Sequence, residues 1–379
     1  MPPARPPFDR RAVCRTCRRL DRDAARAGRK IHYEGFELMD DMQVFQLQGD
    51  WGFDNLTLAR RPVPTPGRGE VLVRMKAASL NFRDLVVLDR GYGRSTGELP
   101  LIPVSDGAGE VAAIGPGVAR VKIGDRVCPT FFQSWIGGDA RPESFAKSLG
   151  APLDGTMAEF MLLSEEGVVR LPPELSFAEA ATLPCAALTA WSALVTLGHI
   201  KAGDKILVQG TGGVAQFALA FAKIHGAHVT VISSSDDKLV RMRAAGADAT
   251  INYITHEDWA KAARDIVADR GGFDNIVELG GEKTLPLSLR CVRPGGTISV
   301  IGVLSGLSLN ASLGPIVARQ IKLQGVTVGN RDSFERMLAA IAQHGIKPVL
   351  DRRFAFVDLK AALAHLKSGR QFGKIWIEH

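Results

Sequence analysis

Short apolar runs separated by glycine dominate the C-terminal half of this chain. Lys205 to Gln209 (KILVQ) reads as a buried strand, Gly210-Thr211-Gly212-Gly213-Val214 as a turn, and AQFALAFAKIHG as an apolar helix. His228 to Ile232 is a second buried strand that closes a βαβ unit. From about residue 171 to 345 helix and strand patterns alternate, with further strands at 249–252, 275–279, 297–301 and 322–328. That alternation predicts an α/β fold with a doubly wound parallel sheet. Residues 42 to about 170 follow another rhythm. Val71 to Lys76 alternates, and Gly109 to Gly117 and Gly124 to Val127 are strand–turn signals, which together predict a mostly β domain. After residue 345 come a strand at 351–356, a helix at 359–367 and a last strand at 374–377, expected to return to the first domain. The expected organisation is thus an extension at 1–40, a domain built from 41–170 and 346–379, and a second domain at 171–345.

The glycines of the turn let the backbone bend tightly and approach a ligand, and the helix that follows offers free N–H groups to a phosphate. Placed between two strands at this spacing, the turn points to a dinucleotide site held by Gly210, Thr211, Gly212, Gly213 and Val214.

Composition narrows the alternatives. The chain of 379 residues carries a formal charge of +7. Residues 1–30 hold ten Lys and Arg against three Asp, so the tail accounts for that excess and the remainder is neutral. No nucleic-acid partner is inferred for the folded body. The arginine- and proline-rich tail predicts disorder. Cys14 and Cys17 within it are read as half of a metal site, as part of a targeting peptide, or as a plain extension. Five cysteines in a chain this long do not form a disulfide framework, so a reducing, cytoplasmic setting is expected. No apolar run approaches the ~18 residues of a membrane span.

Several motifs occur in order: Asn81-Phe-Arg-Asp84, Asp106-Gly-Ala-Gly109, Ala113 to Val118, Gly124-Asp-Arg-Val127, Gly155 to Phe160, Leu183 to Trp191 and Gly210 to Val214. On these, the chain from Met42 to His379 resembles the medium-chain dehydrogenase/reductase superfamily of alcohol dehydrogenase-like proteins. The resemblance implies a GroES-like domain and a Rossmann domain with the active site in the cleft between them. It also implies a homodimer.

Zinc-dependent members of that superfamily hold the metal with Cys, His and Cys. The corresponding positions here are Asn81, Ser105 and Cys185, and no histidine lies between His32 and His199. One thiolate cannot make a catalytic zinc site, so no metal is expected. The structural-zinc lobe offers only Cys128. The resemblance therefore narrows to the zinc-free, quinone-oxidoreductase-like branch, and Cys185 reads as a small buried residue.

The second strand of the βαβ unit ends in Ser233, Ser234 and Ser235 rather than in a carboxylate, and Lys238 follows. Hydroxyls and a lysine suit a 2′-phosphate, which favours NADP(H) over NAD(H). Asp236 and Asp237 complicate this; they also suit the first turn of the next helix, which Ser235 would cap. By resemblance, Asn81 and Thr189 lie near the nicotinamide, Tyr253 near the adenosine half, and Gly302, Val303 and Lys374 along the cofactor. Thr189 and Tyr253 equally suit ordinary packing.

Without a Lewis acid, a conjugated acceptor is easier to reduce than an isolated carbonyl, because charge spreads to an oxygen that hydrogen-bond donors stabilise. The expected activity is NADPH-dependent reduction of a quinone, an enone or an enoyl thioester. Catalytic candidates are Asn81 and Tyr92, the latter as proton donor or as a loop residue that gates the cleft. Arg83 and Asp84 read as catalytic or as a helix-starting pair. Rival readings are a zinc-independent alcohol dehydrogenase and a cofactor-binding structural or regulatory protein with little turnover. Phe131, Phe132, Trp135 and Phe145 read as cleft wall or as core.

Overall fold

A computed structural model describes residues 32–33, 36–37 and 40–379. Cys14, Cys17 and most of the expected extension lie outside the described residues. Within it, His32–Tyr33 and Phe36–Glu37 pair as antiparallel strands with Tyr33 opposite Phe36. Residues 41–379 form a separate compact unit.

The longest strand of that unit, β3 (Glu70–Ser79), is central to its first sheet. Val71 and Val73 on one face and Leu72 on the other are fully buried. It pairs antiparallel with β4 (Asp106–Ile114), β6 (Phe160–Ser164) and β15 (Lys374–Glu378). β5 (Arg126–Pro129) and β7 (Val168–Arg170) continue the sheet beyond β4, and β14 (Leu350–Ala355) continues it beyond β15. The end of the chain is thus built into the sheet formed by its beginning. β1 (Asp41–Leu47) and β2 (Leu56–Pro62) form a separate antiparallel pair.

The second sheet is entirely parallel, in the order β10 (Ala249–Asn252), β9 (His228–Ser233), β8 (Lys205–Gln209), β11 (Phe273–Glu278), β12 (Val292–Val300), β13 (Lys322–Gly325). In chain order this is 3-2-1-4-5-6, the doubly wound arrangement whose crevice opens where the order reverses. Ile206, Leu207 and Val208 of β8 are fully buried, as both faces of such a strand are covered. The helix after the glycine turn, α2 (Gly213–Ile224), packs through Ala215, Phe217, Ala218 and Phe221 against that sheet. α3 (Asp236–Ala244) joins the same core as α2 through Leu239 and Met242, and α4 (Trp259–Ile266) packs in a second core with Leu207 and Ile276. Among the described residues no helix is long and apolar enough to cross a membrane.

A buried carboxyl fixes the crevice end of this sheet. Glu278, at the end of β11, is fully buried and accepts hydrogen bonds from the side chains of Gln209, Ser288 and Thr284 and from the backbone N–H groups of Gly280 and Gly281. Gln209, at the end of β8, uses its carbonyl for the N–H groups of Leu279 and Gly280. Buried polar groups cost little only when each has a partner. Glu278→Ala leaves several of these donors unpaired and is expected to lower the unfolding free energy by roughly 3 kcal/mol. Urea titration measures this, and a loss below about 0.5 kcal/mol would show that the loop re-satisfies itself.

Candidate active site

β8 ends at the glycine turn. Gly210 has φ +80°, a region that favours glycine, and its N–H donates to Ile232 O at 2.7 Å. Gly212 precedes α2 with no side-chain cap, so the first N–H groups of the helix remain available to an anion. The turn is braced by the C-terminal strand: Gly212 bridges Gly373, whose N–H donates to Thr211 O at 3.1 Å. A Cβ on Gly213 would lie 2.5 Å from Lys374 Cδ, so glycine there lets the lysine stem pass against the turn.

Lys374, 3% exposed, carries its ammonium across the crevice. Nζ donates to Leu80 O and to Asn81 Oδ1, both at 2.6 Å, and lies 4.0 Å from Asp106 Oδ2. Asn81 caps α1 (Phe82–Leu88), its N–H donating to Asp84 Oδ2 at 2.7 Å. Asp106 is fully buried; Oδ1 accepts from Ser105 Oγ at 2.8 Å and Oδ2 from the Cys185 N–H at 3.1 Å. Burial raises the Asp106 carboxyl above the ordinary range, with Lys374 opposing. The approach to this residue is strained: Val104 has φ +73°, unusual for a β-branched residue, and its carbonyl accepts from the N–H of Thr156 at 2.7 Å. Thr156 Oγ1 also donates to Asp106 O at 2.9 Å, which fixes the carboxyl-bearing segment.

The three positions that the resemblance gives to zinc ligands therefore do meet, but around an ammonium and a carboxyl. Asn81 is bonded to Lys374, and Ser105 and the Cys185 backbone are bonded to Asp106. Burial, followed by Asp106, pushes the Cys185 thiol well above its ordinary value. A dication needs three deprotonated protein ligands and no adjacent cation; this donor set does not fit it. Among the described residues, no group of three or more His, Cys, Asp or Glu side chains is placed to hold a metal. Cys128 is buried, with its thiol directed to Ala180 O.

Beside this cluster opens a cavity of about 450 Å³, lined in part by Arg83, Tyr92, Arg94, Phe131, Phe132 and Phe145. Tyr92 is 45% exposed; burial raises its phenol above the ordinary value, with Arg83 opposing. Phe131 and Phe132 are nearly buried and pack edge to face at 4.7 Å, so they serve as core and wall together. Trp135 stands behind them against Phe145, 5.4 Å between ring centres. Arg83 lies over Phe131 at 4.7 Å, donates to Leu149 O at 2.9 Å and sits 4.0 Å from Asp84. Thr189 is buried on the short helix Leu188–Trp191, between two π-helical turns, the first of which carries Cys185.

The other expected cofactor residues gather at the crevice edge of the parallel sheet. Ser234 is exposed just past β9. Ser235 caps α3, accepting from the Lys238 N–H. Lys238 Nζ donates to Gly369 O at 2.9 Å and to Gln371 O at 3.0 Å. Asp236, the complicating carboxylate, accepts from Asn252 Nδ2 at 2.9 Å, a structural bond. Tyr253 follows β10 with its side chain 39% exposed. Gly302 and Val303 follow β12, where the Gly302 N–H donates to Glu278 O. Asp106, Thr156, Glu278 and Gln209 were not singled out by sequence; the one signal was a polar residue at the end of an apolar strand for Gln209 and Glu278.

Asp84 supplies a pH-dependent term. Burial is the main cause that raises its carboxyl from 3.8 to about 6, against the pull of Arg83. The folded state then holds this proton longer than the unfolded chain does, so stability falls as pH rises from about 4 through 6. Asp84→Asn removes that dependence. Its unfolding free energy relative to the parent should rise by on the order of 2 kcal/mol between pH 4 and pH 7.5. Urea titrations at the two pH values measure this; a difference that does not change with pH would contradict it.

Comparison with known proteins agrees with the geometry. Residues 67–173 match the family model of the alcohol dehydrogenase GroES-like domain, and residues 213–343 match that of the zinc-binding dehydrogenase. A zinc-type alcohol dehydrogenase-like protein of Schizosaccharomyces pombe is 41% identical over 86% of this chain and 95% of its own. The chloroplastic quinone-oxidoreductase QR1 of Triphysaria versicolor is 30% identical over 84% of this chain and 92% of its own. The crystal structure of a candidate alcohol dehydrogenase from Sinorhizobium meliloti 1021 superposes with a TM-score of 0.84 at 43% identity, covering 90% of this chain and all of that one. With a GroES-like domain, a Rossmann-like domain and these relatives, the chain belongs to the medium-chain dehydrogenase/reductase superfamily and is an oxidoreductase of that family that takes a nicotinamide cofactor.

Proposed function

We propose that this protein is a zinc-independent reductase that uses NADPH to reduce a quinone or an α,β-unsaturated carbonyl. The observation that carries the proposal is that Asn81, Ser105 and the Cys185 backbone, at the positions the resemblance gives to zinc ligands, are bonded instead to the Lys374 ammonium and the Asp106 carboxyl. The quinone-oxidoreductase relative supports the same activity.

The cofactor fits residues of the chain. The uncapped start of α2 and the turn Gly210–Val214 suit a pyrophosphate. Ser234, Ser235 and Lys238 suit a 2′-phosphate: an ammonium has three protons, and Lys238 commits two of them to backbone carbonyls, leaving one for an anion. Thr189, Tyr253, Gly302 and Val303 complete the proposed contacts, with Asn81 and Lys374 at the reacting end. When bound, the reduced nicotinamide supplies the hydride. The acceptor's electron pair moves to its carbonyl oxygen, and the proton that neutralises it comes from Tyr92 Oη, which burial keeps protonated. The ammonium of Lys374 donates to the side-chain oxygen of Asn81 and so fixes that residue at the reacting end. A second reading, a zinc-independent alcohol dehydrogenase, is favoured by the alcohol dehydrogenase names among the relatives.

A homodimer is part of the proposal. The edge strand β13 is mostly exposed, and Leu307, Leu313 and Val317 nearby are open to solvent.

The test is NADPH and NADH oxidation against a panel of quinones, enones and enoyl thioesters, with alcohols and NADP⁺ in the reverse direction. NADPH is expected to be preferred, with a conjugated acceptor consumed, and the enzyme should sediment as a dimer. Tyr92→Phe should lower kcat on the order of 100-fold with NADPH binding retained. Unchanged turnover would remove Tyr92 from the chemistry, and oxidation of alcohols alone would favour the second reading.

A further inference from the structure

The cavity beside Tyr92 has an uneven chemistry. Its walls are aromatic, with Phe131, Phe132 and Phe145 joined by edge-to-face contacts at 4.7 and 5.3 Å. Two arginines line it, and no acidic side chain does. The two are not equivalent. Arg83 is committed: its guanidinium donates to Leu149 O, lies over the Phe131 and Tyr92 rings at 4.7 and 5.9 Å, and faces the Asp84 carboxyl. Arg94, on the short turn Gly93–Thr96 that follows Tyr92, is exposed and lines the cavity, and its guanidinium makes no hydrogen bond, ion pair or ring contact with any described residue.

A guanidinium with five donors and no partner, at the rim of an aromatic slot, is suited to a carboxylate, sulfonate or phosphate. The slot itself suits a flat apolar body. A neutral acceptor would leave the excess positive charge uncompensated, whereas an anionic one would neutralise it in a site partly shielded from water. Because Tyr92 and Arg94 stand two residues apart on one turn, one ligand can reach both, with its carbonyl at the phenol and its anionic group at the guanidinium.

We propose that the acceptor is a planar conjugated carbonyl with an apolar or aromatic body and one anionic group, and that Arg94 sets this preference by holding the anion. This rests on the acceptor-reductase function proposed above. The anion has two chemical sources, a charged substituent on a compact acceptor or the phosphates of the carrier on an enoyl thioester.

The experiment uses the full-length protein with NADPH and two matched pairs of acceptors. One pair is 1,2-naphthoquinone and its 4-sulfonate; the other is a cinnamoyl thioester of coenzyme A and the same thioester of uncharged N-acetylcysteamine. The ratio of kcat/KM for the charged over the neutral member is measured for the parent, Arg94→Gln and Arg94→Lys. The parent should favour the charged member of one pair, and which pair identifies the source. Arg94→Gln should reduce that ratio about tenfold, chiefly through KM, and Arg94→Lys should retain most of it. Equal ratios in the parent and Arg94→Gln overturn the proposal. Calorimetric titration of naphthalene-1-sulfonate into the same proteins separates the two levels of inference. If no acceptor is reduced but the anion binds the parent and not Arg94→Gln, the assignment of Arg94 stands and the reductase function fails. If the anion binds both proteins alike, the assignment fails.

Discussion

The ammonium of Lys374 joins parts of this molecule that are far apart in sequence. Its stem runs against Gly213 at the start of the cofactor helix, and its head is bonded to Leu80 and Asn81 beside Asp106, so the final strand, the glycine turn and the first helix of the β domain are tied at one point. A charge buried this deeply is tolerable only with partners, and those here come from two segments, Leu80 with Asn81 and Asp106. Removing the ammonium would leave Asp106 without its counter-charge and Asn81 without a donor. Removing the strand that carries it would take away the bridge to Gly212.

The same cluster ties the glycine turn to the aromatic cavity. Asn81 starts α1, and two residues on the guanidinium of Arg83 forms part of the cavity wall, stacked on Phe131. Asp84 lies behind both, accepting from the Asn81 N–H. Cofactor turn, polar cluster and aromatic slot therefore share a short helix and its cap. The Glu278 network plays the corresponding part on the Rossmann-like side, where it holds the loop after β11 at the mouth of the crevice.

Much of the fold was legible in the chain. The run KILVQ is the strand Lys205–Gln209, and the strand at 249–252 and the helix at 359–367 occur as expected, because strong apolar periodicity and glycine punctuation act locally. The strand expected over 322–328 stops at Gly325; Val328 adopts φ +51°, which no apolar pattern reveals. The strand expected from Thr297 begins at Val292, through a Pro-Gly-Gly that reads as a turn. In the site, the glycine turn was readable because its chemistry resides in one short segment. The bond from Lys374 to Asn81 was not, since it joins residues 293 positions apart. Asp106 is visible in the chain as the head of a motif, but its role is not, since it depends on a backbone N–H of Cys185 that only the tertiary fold delivers.

At the three positions that the resemblance gives to zinc ligands, Asn81, Ser105 and Cys185, the chain is bonded to an ammonium and a carboxyl. The most direct measurement is elemental analysis of the purified protein combined with activity after exhaustive chelation. Far less than one zinc per chain is expected, with acceptor-dependent NADPH oxidation that chelation leaves intact. Near-stoichiometric zinc, or turnover that chelation abolishes and added zinc restores, would contradict it.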